Sequence, residues 1–394
     1  MFEYGSFAHN LLEDSMKKHA TLAAAAALAV LAQAPGLAQA QEVVRIAHAA
    51  AVSGPVAYFG KDDENGARMA IEDLNARGTT IAGKKVVFQL VAEDDAGEPK
   101  QATAVAQKLV DARINGVIGH ETSGTTIPAS KIYHDAGVPQ ISASATSPLY
   151  TLQGYDTTFR VVGNDTQLGH ALGRYVGTTL GAKRIAVIDD RTAYGQGLVA
   201  EFSKSLNGAT VVDREFTNDK ASDFSSILTK IKSTHPDVIF FGGMSAVAGP
   251  MLRQMRQLGM TMKLVGGDGI CSDEIAKLAQ GAMADGQVVC AEAGGIEASG
   301  QPAIDKFKAA YKKRFGIDVQ IYAPYVYDAV MAMAQAMVKA GSAAPAKYLP
   351  ELAKIHYQGL TGTIAFDAHG DLRDAALTLY TFQGGHRKTI AVMR

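Results

Sequence analysis

From residue 43 onward, short blocks of consecutive apolar residues alternate with longer stretches in which apolar positions recur at helical spacing. Val43 to His48 is a β-rich run, and 62–77 follows with Ala67, Ala70, Ile71 and Leu74 on one helical stripe. Val86 to Val91 predicts the next strand, and Pro99 opens a helix that runs to Arg113, since proline is tolerated in a first turn. Gly116 to Gly119 predicts a short buried strand, 125–136 a helix, and Val138 to Ser142 another strand. Near-continuous apolar strands separated by helices indicate a parallel sheet covered on both faces.

The alternation then restarts. Strands are expected at Arg184 to Ile188, Thr210 to Val212, Val238 to Phe241, Lys263 to Val265 and Gln287 to Cys290. Helices fall between them, at Leu168 to Leu180, Gly195 to Leu206, Asp223 to Ser233 and Ala246 to Leu258. Two long helical stretches follow, Ile304 to Phe315 and Tyr322 to Ala340, and Thr363 to Phe366 and Leu377 to Phe382 read as closing strands. One strongly twisted sheet rarely exceeds ~10 strands, so the pattern predicts an α/β chain of two doubly wound parallel-sheet lobes. The length of 394 residues, more than one core usually serves, points the same way.

Composition narrows the class. Hydrophobic content of 47% with 20% charged residues is that of a folded globular chain. The formal net charge of -1, with no basic block to neutralise phosphates, argues against nucleic acid as a partner. Near the N-terminus, Lys17, Lys18 and His19 precede the apolar run from Thr21 to Ala34, Pro35 and Gly36 break it, and Ala38-Gln39-Ala40 offers a small-x-small cleavage site. This is the pattern of a cleaved secretory signal with Gln41 as first mature residue. The run is too short for a membrane span, which needs ~20 residues. On this reading Met16 is the natural start and 1–15 an upstream extension. Export in turn makes the two cysteines, Cys271 and Cys290, a candidate disulfide, the alternative being two buried free thiols. No His or Cys cluster around them suggests a metal site.

Motifs that resemble catalytic ones fail on context. Gly195-Gln196-Gly197-Leu198-Val199-Ala200 fits a loose dinucleotide fingerprint, but Asp189 to Tyr194 intervenes between strand and first glycine. The G-T-T-I-A-G-K-K stretch from Gly78 to Lys85 places a lysine where a phosphate loop needs Ser or Thr, and leads into a strand. Gly243 to Val247 lacks the second glycine of a nucleophile elbow, and His120-Glu121 lacks the second histidine of a zinc-protease helix. The chain is therefore read as no enzyme and as needing no cofactor.

Binding is better supported. A free α-amino acid presents a carboxylate and an ammonium, and burying it requires convergent donors for one and an acid for the other. Helix N-termini at the carboxyl ends of parallel strands supply such donors. Gly119 to Ser130 runs from a strand end through hydroxyls into a helix, and Ile141 to Pro148 follows the next strand with Ser142, Ser144, Thr146 and Ser147. Read singly, each is an N-cap and a turn; as successive strand ends they form a candidate ligand cradle.

Several segments resemble the leucine/isoleucine/valine-binding proteins of bacterial periplasm. They are Ser53 to Gly60, Asp94 to Ala102, Gly119 to Ser130, Tyr194 to Gly197, Gly266 to Gly269 and Tyr325 to Ala329, in order across 43–383. The resemblance implies a type I periplasmic binding fold that closes over its ligand. It places Ser123 on the ligand carboxylate, the Ser144 carbonyl on the ammonium and Thr146 on both. Tyr194 becomes an aromatic closing from the second lobe, and Asp268 stands where the family has a glutamate pairing with the ammonium. Phe59 replaces a tyrosine, Met244 replaces an aromatic near the side-chain pocket, and Tyr322 reaches the cleft from the hinge side. Other readings of single residues are packing for Tyr194, a helix cap for Asp268 and a loop position for Met244. The family's cysteine pair is replaced by Gly97 and Thr122.

The resemblance further implies a lobe one of 43–163 with 293–378 and a lobe two of 164–292 with 379–394, joined by three crossings. The expected protein is the monomeric, periplasmic substrate-binding component of an ABC transporter, taking branched-chain or related aliphatic L-amino acids and docking on an inner-membrane permease. The alternatives are a sensor of the same fold for amides or other small carboxylates, and a periplasmic hydrolase.

Overall fold

The structure is a computed structural model and describes residues 41–295 and 300–393. The secretory signal, its cleavage site and the alternative start lie outside the described residues.

Two sheets organise the chain. The first has six strands in the order β2-β3-β1-β4-β5-β6, formed by β1 (Glu42–Ala50), β2 (Thr80–Ile81), β3 (Lys84–Asp94), β4 (Gly116–Gly119), β5 (Gln140–Ser142) and β6 (Thr158–Arg160). The second has seven in the order β15-β14-β11-β10-β9-β7-β8. Its members are β7 (Arg184–Asp189), β8 (Thr210–Phe216), β9 (Val238–Gly242), β10 (Lys263–Gly266), β11 (Val288–Glu292), β14 (Leu377–Gln383) and β15 (His386–Met393). A small antiparallel pair, β12 (Tyr357–Gln358) and β13 (Thr363–Ile364), stands apart. This is the two-lobed α/β architecture that the alternation predicts.

The sheets are not wholly parallel. β14 runs antiparallel to β11 and β15 to β14, and β2 is antiparallel to β3. The β2–β3 and β14–β15 pairs are short hairpins, whereas β14 returns to β11 only after three intervening helices. The β2–β3 turn is the G-T-T-I-A-G-K-K stretch: Ala82 and Gly83 both have positive φ, 49° and 76°, as a two-residue hairpin of the primed type requires. Two further expectations are corrected. The predicted strand Thr363 to Phe366 is only the two-residue β13. The predicted helix Leu168 to Leu180 is α-helical over Asp165–Arg174 and continues as a π-turn over Tyr175–Thr179.

The strands are apolar because helices cover both faces. Ile185, Ala186, Val187 and Ile188 on β7 and Ile239, Phe240 and Phe241 on β9 are buried completely. The helix Ala57–Ala76 buries the expected stripe Ala67, Ala70, Ile71 and Leu74 and packs against Ala323–Ala340. Gly195, from the rejected dinucleotide fingerprint, marks the close crossing of a helix over β9: an added Cβ would stand 2.5 Å from the Gly242 carbonyl oxygen. Cys271 and Cys290 are joined by a disulfide, 19 residues apart in sequence, so the bonded alternative of the sequence reading holds. Closing a loop of that length contributes roughly 3 kcal/mol in the chain-entropy account.

Candidate functional site

The carboxyl ends of the strands in both sheets lead to one narrow cleft with a free volume of about 10 Å³, room for about one water. All eight residues singled out from the sequence line it. Phe59, Ser123, Ser144, Thr146 and Tyr322 come from segments around the first sheet, and Tyr194, Met244 and Asp268 from segments around the second. Glu121, Thr122 and Gly269 complete the lining. The lining includes two acids and no lysine or arginine.

The donor side is built by one helix. Thr122 caps Ser123–Asp135, its side chain accepting from the Thr125 N–H, so the N–H groups of Ser123 and Gly124 lie in the first turn, where intrahelical carbonyl partners do not exist. A helix start of this kind also carries partial positive charge. The Ser123 hydroxyl accepts from the Ser147 N–H at 3.1 Å and the Ser144 hydroxyl donates to the Glu121 carbonyl at 2.9 Å. The two hydroxyls therefore tie the successive strand ends together. The Thr146 hydroxyl is buried and makes no well-aligned hydrogen bond among the described residues, though the Asp165 carboxylate lies near enough to accept from it.

The acid side is Asp268, in a short 3₁₀ turn after β10. Its carboxylate does not cap the following segment. One oxygen accepts from the Tyr194 hydroxyl at 2.7 Å and the other from the Tyr322 hydroxyl. Tyr194 in turn accepts from the Gly269 N–H at 3.0 Å. Burial pushes the Asp268 carboxyl above its ordinary range, while the two tyrosine hydroxyls pull it back. Tyr322 thus spans the cleft, and its ring lies 5.6 Å from that of Phe59.

Tyr322 is held by a second acid. Asp62, buried in the helix Ala57–Ala76, accepts from the N–H groups of Gln320 (3.0 Å), Ile321 (3.1 Å), Tyr322 (2.9 Å) and Ala323 (3.0 Å). On the other wall, Arg160 at the end of β6 donates to the carbonyls of Ala145 (3.0 Å) and Ser147 (2.8 Å), which bracket Thr146. Its guanidinium also pairs with Asp371.

The sequence reading missed several of these groups. Glu121 lies inside a stretch already singled out, yet its pairing with His120 drew attention to zinc chemistry. In the structure His120 faces away to Asp95 (2.5 Å) and Tyr133 (3.0 Å), while Glu121 faces the cleft. Asp165 is likewise buried behind Thr146, neither carboxylate oxygen having a partner among the described residues; burial and then the charge of Asp268 push it well up. Among the described residues no group of three or more His, Cys, Asp or Glu is placed to hold a metal ion. A larger cavity, of about 820 Å³, opens beside Val161, Tyr325 and Thr361. It contains none of the predicted residues and includes Gly295 and Gly300, which flank 296–299, so the smaller cleft is the candidate site.

The chain is similar to several known proteins. The sequence pattern of the periplasmic binding protein family matches residues 43–386. The Leu/Ile/Val-binding protein homolog 1 of Brucella abortus (strain 2308) is 37% identical over 343 residues, covering 85% of this chain and 89% of that protein. The leucine-, isoleucine-, valine-, threonine-, and alanine-binding protein of Pseudomonas aeruginosa is 34% identical over 352 residues, 89% of this chain and 92% of that one. Among solved structures, a leucine binding protein from Thermotoga maritima superposes with a TM-score of 0.82 at 27% identity, covering 89% of this chain and 99% of that chain.

Proposed function

This chain belongs to the periplasmic binding protein family, and from that premise we propose that it is the substrate-binding component of an ABC transporter for small aliphatic L-α-amino acids, including the branched-chain ones. The observation that carries the reading is the convergence of a helix N-terminus, several hydroxyls and a buried acid on one small cleft. The ligand carboxylate is received by Ser123 and its helix turn, the ammonium by Asp268 with the Ser144 carbonyl, and Thr146 touches both. Phe59, Met244, Tyr194 and Tyr322 enclose the remainder. Transport chemistry is left to the membrane partner, for which no group of this chain is needed beyond recognition.

The proposal extends to mechanics. Lobe one comprises 43–163 with 293–378 and lobe two 164–292 with 379–394, and closure is a rotation about the three crossings between them. A ligand favours closure to the extent that it binds the closed state better than the open one. The loaded monomer then docks on an inner-membrane permease, having reached the periplasm through its cleaved signal. Support comes from relatives named as amino-acid-binding proteins and from the division of the strands between two sheets.

The test is a thermal-shift screen of purified 41–394, unfolded and refolded to strip carried ligand, against L-amino acids, D-leucine, small amides and aromatic acids. A ligand at ~100 times its Kd stabilises by ~2.7 kcal/mol, which a melting curve resolves. The expected response is to aliphatic L-amino acids, lost in Asp268→Ala and reduced in Asp268→Asn. A response to amides or aromatic acids alone would refute the amino-acid reading.

A further inference from the structure

Glu121 lines the cleft from the loop between β4 and the helix Ser123–Asp135, only 3% exposed. Its backbone is fixed, the carbonyl accepting from the Ser144 hydroxyl. Its carboxylate is not: Oε2 is buried and has no hydrogen-bond partner among the described residues. The charged groups around it are acids. Burial pushes its proton affinity well up and the charges of Asp95 and Asp268 add to that, while Asp63 stands close enough to feel it. Asp268, by contrast, already has a hydroxyl on each oxygen. The cleft therefore holds one acid that is provided for and one that is not, with the hydrocarbon of Phe59 and Met244 beside them.

We propose that Glu121 sets the side-chain preference of the site, favouring small α-amino acids whose side chain carries a hydrogen-bond donor over hydrocarbon side chains of the same shape. The inference rests on the amino-acid reading above and refines it. A buried carboxyl without a partner is costly in either protonation state, because a carboxyl oxygen has lost water and gained nothing. A hydrocarbon side chain leaves Oε2 in that condition. A hydroxyl or amino group relieves it by donating a hydrogen bond. The discrimination is asymmetric: a site built to hydrogen-bond a donor rejects the analogue lacking it far more strongly than an apolar pocket rejects an added hydroxyl.

Threonine and valine, nearly equal in shape, isolate the effect. Dissociation constants for both are measured by titration calorimetry on the refolded exported protein. Threonine is expected to bind at least ~10-fold more tightly than valine, with the order inverted in Glu121→Leu and retained in Glu121→Gln, which keeps a buried oxygen acceptor and guards against a folding defect. L-2,4-diaminobutyrate tests a charged donor; binding tighter than threonine would support the proposal and assign the donor as cationic. Valine bound as tightly as threonine by the wild type, with the ratio unchanged in Glu121→Leu, overturns the role of Glu121 while leaving the amino-acid reading intact. Failure of every α-amino acid to bind overturns that reading, and this inference with it.

Discussion

Replacing Arg160 by methionine should both destabilise the protein and loosen the ligand site. Arg160 is fully buried, and its guanidinium holds the Ala145 and Ser147 carbonyls, the Thr151 hydroxyl at 2.9 Å and Asp371 through Nε at 2.9 Å. Methionine fills much of the same volume but donates nothing. The two carbonyls lose their donor inside the protein, and Asp371 loses its counter-charge. One-sided removal of a buried pair costs about 3–5 kcal/mol. Asp371 keeps the Asn164 amide at 3.2 Å and is 16% exposed, so water can take up part of its charge and the lower half of that range is expected. The carbonyls released bracket Thr146, whose hydroxyl, in the ligand role proposed for it, contributes about 1 kcal/mol, so that a roughly fivefold rise in Kd is expected. Urea unfolding gives the first quantity and calorimetry the second. The double variant Arg160→Met with Asp371→Leu should recover part of the stability, because it removes both charges together. A single variant within 1 kcal/mol of wild type, and no gain in the double, would refute the account.

Two further outcomes can be checked. Asp62→Ala removes the acceptor for four backbone N–H groups; a loss of at least about 3 kcal/mol in urea unfolding is expected, with weaker ligand binding because Tyr322 rides on that segment, and Asp62→Asn should lose less. For His48, burial depresses the imidazole from 6.5 to about 4. The unfolded chain therefore takes up a proton first, and this stability is present above pH 6.5 and drains as pH falls through 4, by about 3 kcal/mol in all. Asp190 and Asp328, each pushed up to about 6 by burial, act in the opposite sense and lose stability as pH rises through 6. The contribution of His48 is isolated as the difference in unfolding free energy between wild type and His48→Gln, which should fall between pH 6.5 and 4; a flat difference would contradict it.

What the sequence made legible was whatever is local. Apolar blocks located β1, β4, β7, β9 and β10 because each is buried on both faces. β15 escaped because it is an antiparallel edge strand whose residues are mostly exposed or half-buried, leaving no apolar block to read. The hydroxyl-rich strand ends were visible as composition, and resemblance assigned their roles. Arg160 and Asp62 were invisible as supports because their partners are remote: Arg160 and Asp371 are 211 residues apart, Asp62 and Tyr322 260. Glu121 was visible as a residue but not as a cleft acid, since only the fold turns His120 to Asp95 and leaves its neighbour facing the ligand space.

The division of labour within the cleft bears on the closure proposed above. The donors for a carboxylate, Ser123 and its helix turn, come from the first sheet's side, and the acid for an ammonium, Asp268, from the second sheet's side. A zwitterion bound as proposed has its two charges held from opposite walls, so neither wall satisfies it alone. Tyr322 already bridges the same gap through its hydroxyl on Asp268, and that bond favours apposition of the walls without any ligand. The ligand therefore shifts the equilibrium only by what it adds beyond the tyrosine. Phenylalanine at 322 removes the bridge while keeping the ring against Phe59. If the bridge and the ligand act in the same direction, the cost falls on the ligand-free closed population, and ligand-induced closure becomes larger in amplitude although affinity drops.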